Sequence, residues 1–221
     1  KMPEAHWLTE VIERGGKLVV ITPEYSPSAT KADYWIPCRT GISDTTIFLT
    51  MTKIIMDNKW YDTDFVKKFT DFPLLVRTDT LKRLKADEVF ADYHAPELYY
   101  SIHVQGLKKK QREQLGDSVV YDLKTKDFKA ITREDVGKKM IAKGIDPALE
   151  GTFKVKVIVH DEENKGGYDS HEPRWEEVEV MTLFDLYKIH LRDFDLKTTA
   201  DITGAPAHLI ERLAKDCASI K

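Results

Sequence analysis

The chain has 221 residues, 42% of them hydrophobic, enough for one sizeable core or a core with an appendage. Its 34 basic and 37 acidic side chains are well mixed and sum to -3, so no long-range field favours nucleic acid or an anionic membrane surface. The most apolar stretch, Ile47 to Met56, is broken by threonines and Lys53 and falls far short of the ~20 residues a span needs, so no direct membrane insertion is expected.

The first residue is Lys1, and Met2 to Trp7 lack the charged start and apolar run of a secretory signal, so this end reads as processed or excised. Pro3 to Arg14 predicts a helix, with Ala5, Leu8, Val11 and Ile12 on one face and Gly15–Gly16 to end it. Lys17 to Thr22 is a β-branched run stopped by Pro23, the pattern of a buried strand. Tyr34 to Pro37 predicts a second strand. The turn-like Arg39–Asp44 then leads into a helix over Thr45 to Asn58, with Ser43 or Asp44 as its cap and Ile47, Phe48, Met51, Ile54 and Ile55 as its apolar stripe.

Trp60 to Phe69 adds a short helix and Pro73 to Val76 an extended piece. From Thr78 to Gly116 the periodicity fades, and the basic run Lys108–Arg112 reads as a solvated face. Two hairpins follow, Ser118–Tyr121 with Phe128–Ile131 and Phe153–Val159 with Trp175–Val180. Helices over Thr182–His190 and Pro206–Ala218 close the chain. The pattern predicts the α/β class: a Rossmann-like, mostly parallel sheet flanked by helices, with a β-rich hairpin insert. Residues 1–116 form the α/β cofactor-binding part with its irregular excursion, 117–181 the insert, and 182–221 the helices that return to the α/β part.

Several chemical signatures are missing. No GxGxxG follows the first strand, and no P-loop, GxSxG or HExxH pattern occurs anywhere. Cys38 and Cys217 are far apart and read as two buried free thiols. Asp161–Gly167 looks superficially like a calcium loop, but Lys165 stands where an oxygen ligand is needed, so it reads as a polar hairpin tip. His94 and His103 could lie near each other, yet no carboxylate or thiol pattern accompanies them, and neither is given a catalytic role.

What remains is two loops after the first two strands, Thr22–Ser26 and Arg39–Asp44. In open α/β sheets ligands collect beyond the carboxyl ends of strands. Glu24 and Asp44 could accept hydrogen bonds from ribose hydroxyls or a guanine edge, Gly41 would allow close backbone approach, and amides near Ser43 and Asp44 at a helix start would favour phosphate. On spacing alone the alternative stays open that Ser43 and Asp44 merely cap the helix and Glu24 is solvated.

The run Lys17–Asp33, followed by Tyr34–Pro37 and Gly41–Asp44, resembles the middle of molybdopterin-dependent oxidoreductases of the dimethyl sulfoxide reductase family. Thr132–Gly137, Gly144–Gly151 and Ile202–Ala207 are similar to catalytic subunits of its respiratory nitrate reductase and nitrite oxidoreductase branch. The resemblance implies a molybdenum bis(molybdopterin guanine dinucleotide) cofactor in a longer parent. Thr22, Pro23, Glu24, Tyr25 and Ser26 would line a nucleoside, and Gly41, Ser43 and Asp44 its ribose or phosphate side. Many relatives have an Asp-Pro pair where this chain has Thr22–Pro23, and a shorter Gly-Thr-Asp where it has Gly41–Asp44.

In the family, the iron–sulfur cluster ligands and the molybdenum ligand lie outside the matching segment. The chain is thus expected to be an internal fragment of a catalytic subunit, inactive alone. Its implied partners are the remainder of that subunit, an iron–sulfur electron-transfer subunit and a haem subunit, in a membrane-associated respiratory complex on the cytoplasmic or periplasmic face. The alternatives are a non-catalytic packing or subunit-contact segment, and a small protein that binds another nucleotide.

Overall fold

The computed structural model describes residues 5–93, 117–132, 135–158 and 174–219. The run Lys108–Arg112, the pair His94 and His103, and the loop Asp161–Gly167 lie outside them. The chain divides into two compact units, one from Lys1–Tyr61 with His190–Lys221 and one from Asp62–Ile189.

The first unit opens with helix α1, Ala5–Glu13, after which Gly15 adopts a left-handed φ of 84°. Of the residues that share one face of this helix, Leu8, Val11 and Ile12 are exposed. Strands β1, Val19–Ile21, and β2, Tyr34–Ile36, pair in parallel with Val19 opposite Tyr34 and Ile21 opposite Ile36. Among the described residues this pair is the parallel part of the α/β fold. Asp33 secures the start of β1, its carboxylate accepting the Leu18 N–H at 2.7 Å.

Helix α2, Ser43–Asp57, lays Ile47, Met51 and Ile54 on the core around Tyr34 and Ile36, whereas Phe48 of the expected stripe is 49% exposed. Two later helices, α7, Leu196–Thr203, and α8, Ala207–Ser219, complete that core through Leu196, Ile210 and Leu213. Between α2 and α7 the buried hydroxyls of Thr50 and Thr199 meet at 2.6 Å. Cys38 is half-buried, but Cys217 is exposed on α8, which corrects the reading of two buried thiols.

In the second unit, Asp62 caps helix α3, Thr63–Phe69, by accepting the Phe65 N–H at 3.0 Å. Strand β3, Leu75–Arg77, precedes a short helix α4, Ala86–Val89. The first hairpin is β4, Ser118–Asp122, with β5, Asp127–Ile131, and after α5, Lys138–Ala142, come β6, Thr152–Ile158, and β7, Trp175–Thr182. Both hairpins are antiparallel as their alternation predicts, and β3 joins β7 to give the order β3-β7-β6. Alternate residues Val155, Val157, Val178 and Val180 pack inward with Leu75, Leu84 and Val119, while Tyr121 stacks on Phe153 at 4.1 Å. Helix α6, Leu183–His190, buries Phe184 edge-on against Phe72.

Candidate functional site

Two parallel neighbours must end at the same edge, so the loops after β1 and β2 leave the sheet from one end. The Thr22 N–H donates to the Ile36 carbonyl at 3.2 Å, which starts the first loop level with the end of β2. The Trp35 indole N–H donates to the Thr22 carbonyl at 2.9 Å, and the Tyr25 ring meets the Trp35 ring edge-on at 5.2 Å. Within the loop the Thr22 hydroxyl accepts the Glu24 N–H at 3.4 Å, and the Ser26 hydroxyl accepts the Ala29 N–H at 3.4 Å. Those two hydroxyls hold a tight turn that leaves Pro23, Glu24 and Tyr25 exposed.

The second loop is tied down differently. The Arg39 N–H donates to the Thr203 carbonyl at 2.7 Å, and its Nη1 donates to the carbonyls of Asp201 and Ile202, both at 2.9 Å. The Ser43 hydroxyl donates back to the Arg39 carbonyl and is 2% exposed. Ser43 therefore does not cap α2: the cap position is Ile42, and the hydroxyl faces the loop instead of the helix amides. Asp44 lies exposed in the first turn, where the helix dipole favours a carboxylate. Gly41 has φ 97°, with no heavy atom within 4 Å of where a Cβ would lie.

The eight residues expected at the site thus fall into two sets after the carboxyl ends of adjacent strands. Thr22, Ser26 and Ser43 shape the loops from within. Pro23, Glu24, Tyr25, Gly41 and Asp44 present to solvent. The first-turn amides of α2 have no acceptor inside the helix and form an electropositive end. Chemically the two loops offer exposed carboxylate acceptors, open backbone at a glycine and a helix start. The sequence places Arg39 in the second loop but shows neither its contacts nor α7, although Gly204 at φ 70° marks the end of that helix. Among the described residues no group of three or more His, Cys, Asp or Glu could hold a metal ion, and no helix is long and apolar enough to cross a membrane.

No protein-family model matches the chain. It is 31% identical over 223 residues to the perchlorate reductase subunit alpha of Dechloromonas aromatica, covering 100% of this chain and 22% of that protein. The chain's relatives are catalytic alpha subunits of the dimethyl sulfoxide reductase family of molybdoenzymes. A second family member, the dimethylsulfide dehydrogenase subunit alpha of Rhodovulum sulfidophilum, is 25% identical over 221 residues, covering 100% of this chain and 20% of its own length. A third, the nitrate reductase alpha subunit of Mycobacterium tuberculosis, is 32% identical over 85 residues, 36% of this chain and 7% of that protein. The first two matches take in both units and both loops, while the chain spans about a fifth of the length of those family members.

Proposed function

We propose that this chain holds the guanosine end of a molybdopterin guanine dinucleotide inside the catalytic alpha subunit of an enzyme that interconverts nitrate and nitrite. The observation that supports this reading is the departure of the Thr22–Ser26 and Gly41–Asp44 loops from one end of the β1–β2 pair. In it, Glu24 and Asp44 accept from the guanine edge or the ribose hydroxyls, Tyr25 gives the first loop an apolar wall, and Gly41 with the α2 amides faces the phosphates. When bound, the molybdenum cofactor would supply the oxygen-atom transfer chemistry. This chain's residues bind and orient. Metal ligands are assigned to the rest of the subunit, and the exposed side chains of α1 to a surface that meets it.

The test is Glu24→Ala and Asp44→Ala in the full-length alpha subunit, with molybdenum measured by elemental analysis and guanine nucleotide by acid release. A charge-assisted hydrogen bond of about 1.5–3 kcal/mol predicts roughly ten- to a hundredfold weaker retention for each variant. Full cofactor content in both variants would refute the pocket. Turnover of nitrate and nitrite, run beside perchlorate and dimethyl sulfide because of the whole-chain matches, tests the substrate assignment separately.

A further inference from the structure

We infer that Arg39 is the positioning residue of this site, clamping the Gly41–Asp44 loop onto the carboxyl end of α7 so that the loop keeps one conformation toward the nucleotide. The inference rests on the reading above. The last carbonyls of a helix have no partner within it and need donors from elsewhere. Gly204, left-handed at φ 70°, gives its own N–H to the Ala200 carbonyl at 2.8 Å. The next three carbonyls, of Asp201, Ile202 and Thr203, all accept from Arg39: two from its guanidinium and one from its backbone. A cation at a helix carboxyl end is also favoured by the helix dipole.

The clamp has two ends. On the loop side the Arg39 carbonyl accepts the buried Ser43 hydroxyl, so residues 39 and 43 are tied together across Gly41. On the helix side, a Cβ at Gly204 would sit 3.5 Å from Arg39 Cγ and Nε, showing how closely the arginine stem lies over that glycine. The anchor is itself held, since Thr199 of α7 meets Thr50 of α2 in the buried hydroxyl pair. The planar guanidinium suits two adjacent carbonyls, whereas a lysine ammonium is a point charge without that fork. Arg39 touches the nucleotide in none of this. It fixes the backbone that does.

The experiment places Arg39→Ala, Arg39→Lys and Glu24→Ala in the full-length alpha subunit. It reads three quantities: amide hydrogen exchange across residues 40–45, the rate of guanine nucleotide loss at a fixed temperature below melting, and the melting temperature. Arg39→Ala is expected to speed both exchange and loss about tenfold, Arg39→Lys to recover part of each, and Glu24→Ala to speed loss alone. The inference is overturned if Arg39→Ala keeps wild-type nucleotide loss while Glu24→Ala does not; the pocket then stands without the clamp. If both variants keep wild-type loss, the pocket reading fails, and the clamp has nothing to position. A fall in melting temperature with no localised rise in exchange at 40–45 makes Arg39 a general stabiliser and also overturns it. Should Arg39→Ala not fold, Arg39→Lys carries the same comparison.

Discussion

Asp216 accepts hydrogen bonds from Lys17 Nζ at 2.8 Å and Tyr34 Oη at 3.1 Å, joining the stretch before β1, the start of β2, and α8. Lys17 chiefly holds its carboxyl below the usual carboxylate range, against some burial and with help from Tyr34. Burial first, then the hydrogen bond to Asp216, pushes the Tyr34 hydroxyl up to about 12. A depressed carboxylate stabilises the fold above its unfolded value of about 3.9 and loses that contribution as pH falls through the folded value. A raised tyrosine contributes below its unfolded value of about 10 and loses that contribution as pH rises through the folded one. Urea midpoints measured against pH should therefore fall less steeply on the acid side for Asp216→Asn than for wild type, and less steeply on the alkaline side for Tyr34→Phe. Curves parallel to wild type would count against both assignments. At Gly41, where space is open but φ is 97°, Gly41→Ala should cost about 1–2 kcal/mol from backbone strain alone, read in the same urea titration.

At the level of elements, α7 is the instructive case. Leu196–Thr203 carries three threonines and an aspartate, and its inward positions Leu196, Thr199, Ala200 and Thr203 include only two apolar residues, so its apolar pattern is faint. It forms because Asp195 caps it, accepting the N–H groups of Lys197 and Thr198 at 3.0 Å, because Gly204 ends it, and because Thr199 meets Thr50 across the contact with α2. Thr50→Val and Thr199→Val should each cost about 1–3 kcal/mol by leaving one buried hydroxyl unpaired, while the double variant should recover much of that loss. Additive losses in thermal denaturation would show that the two hydroxyls do not act as a pair. In the second unit, Leu75 is fully buried where β3 meets β7, and Leu75→Ala should cost about 2–5 kcal/mol by chemical denaturation. The strands there were legible beforehand because valines at every second position repeat inside one segment. For α1 the periodicity shows that Leu8, Val11 and Ile12 share a face, but only the structure shows that this face is exposed.

For the molecule as a whole, the absence of a metal-ligand cluster among the described residues and the one-fifth coverage of its relatives lead to one expectation. Elemental analysis of the isolated 221-residue chain should find neither molybdenum nor iron in stoichiometric amount. Stoichiometric metal on this chain alone would contradict the assignment of the ligands to the rest of the subunit. Local pattern was enough for the α/β class, for β1, β2 and both hairpins, and for the family, since β-branched runs, proline stops, strict alternation and motif blocks each sit within a few dozen consecutive residues. It was also enough to place Glu24 just past a strand end and Asp44 at a helix start. Tertiary structure alone decided which hydroxyls shape the loops, which carbonyls Arg39 clamps 162 and 163 positions away, and how Lys17 reaches Asp216 across 199. Such contacts have no period and no local composition; they exist only once packing has brought distant segments together, with buried or helix-end polar groups in need of partners.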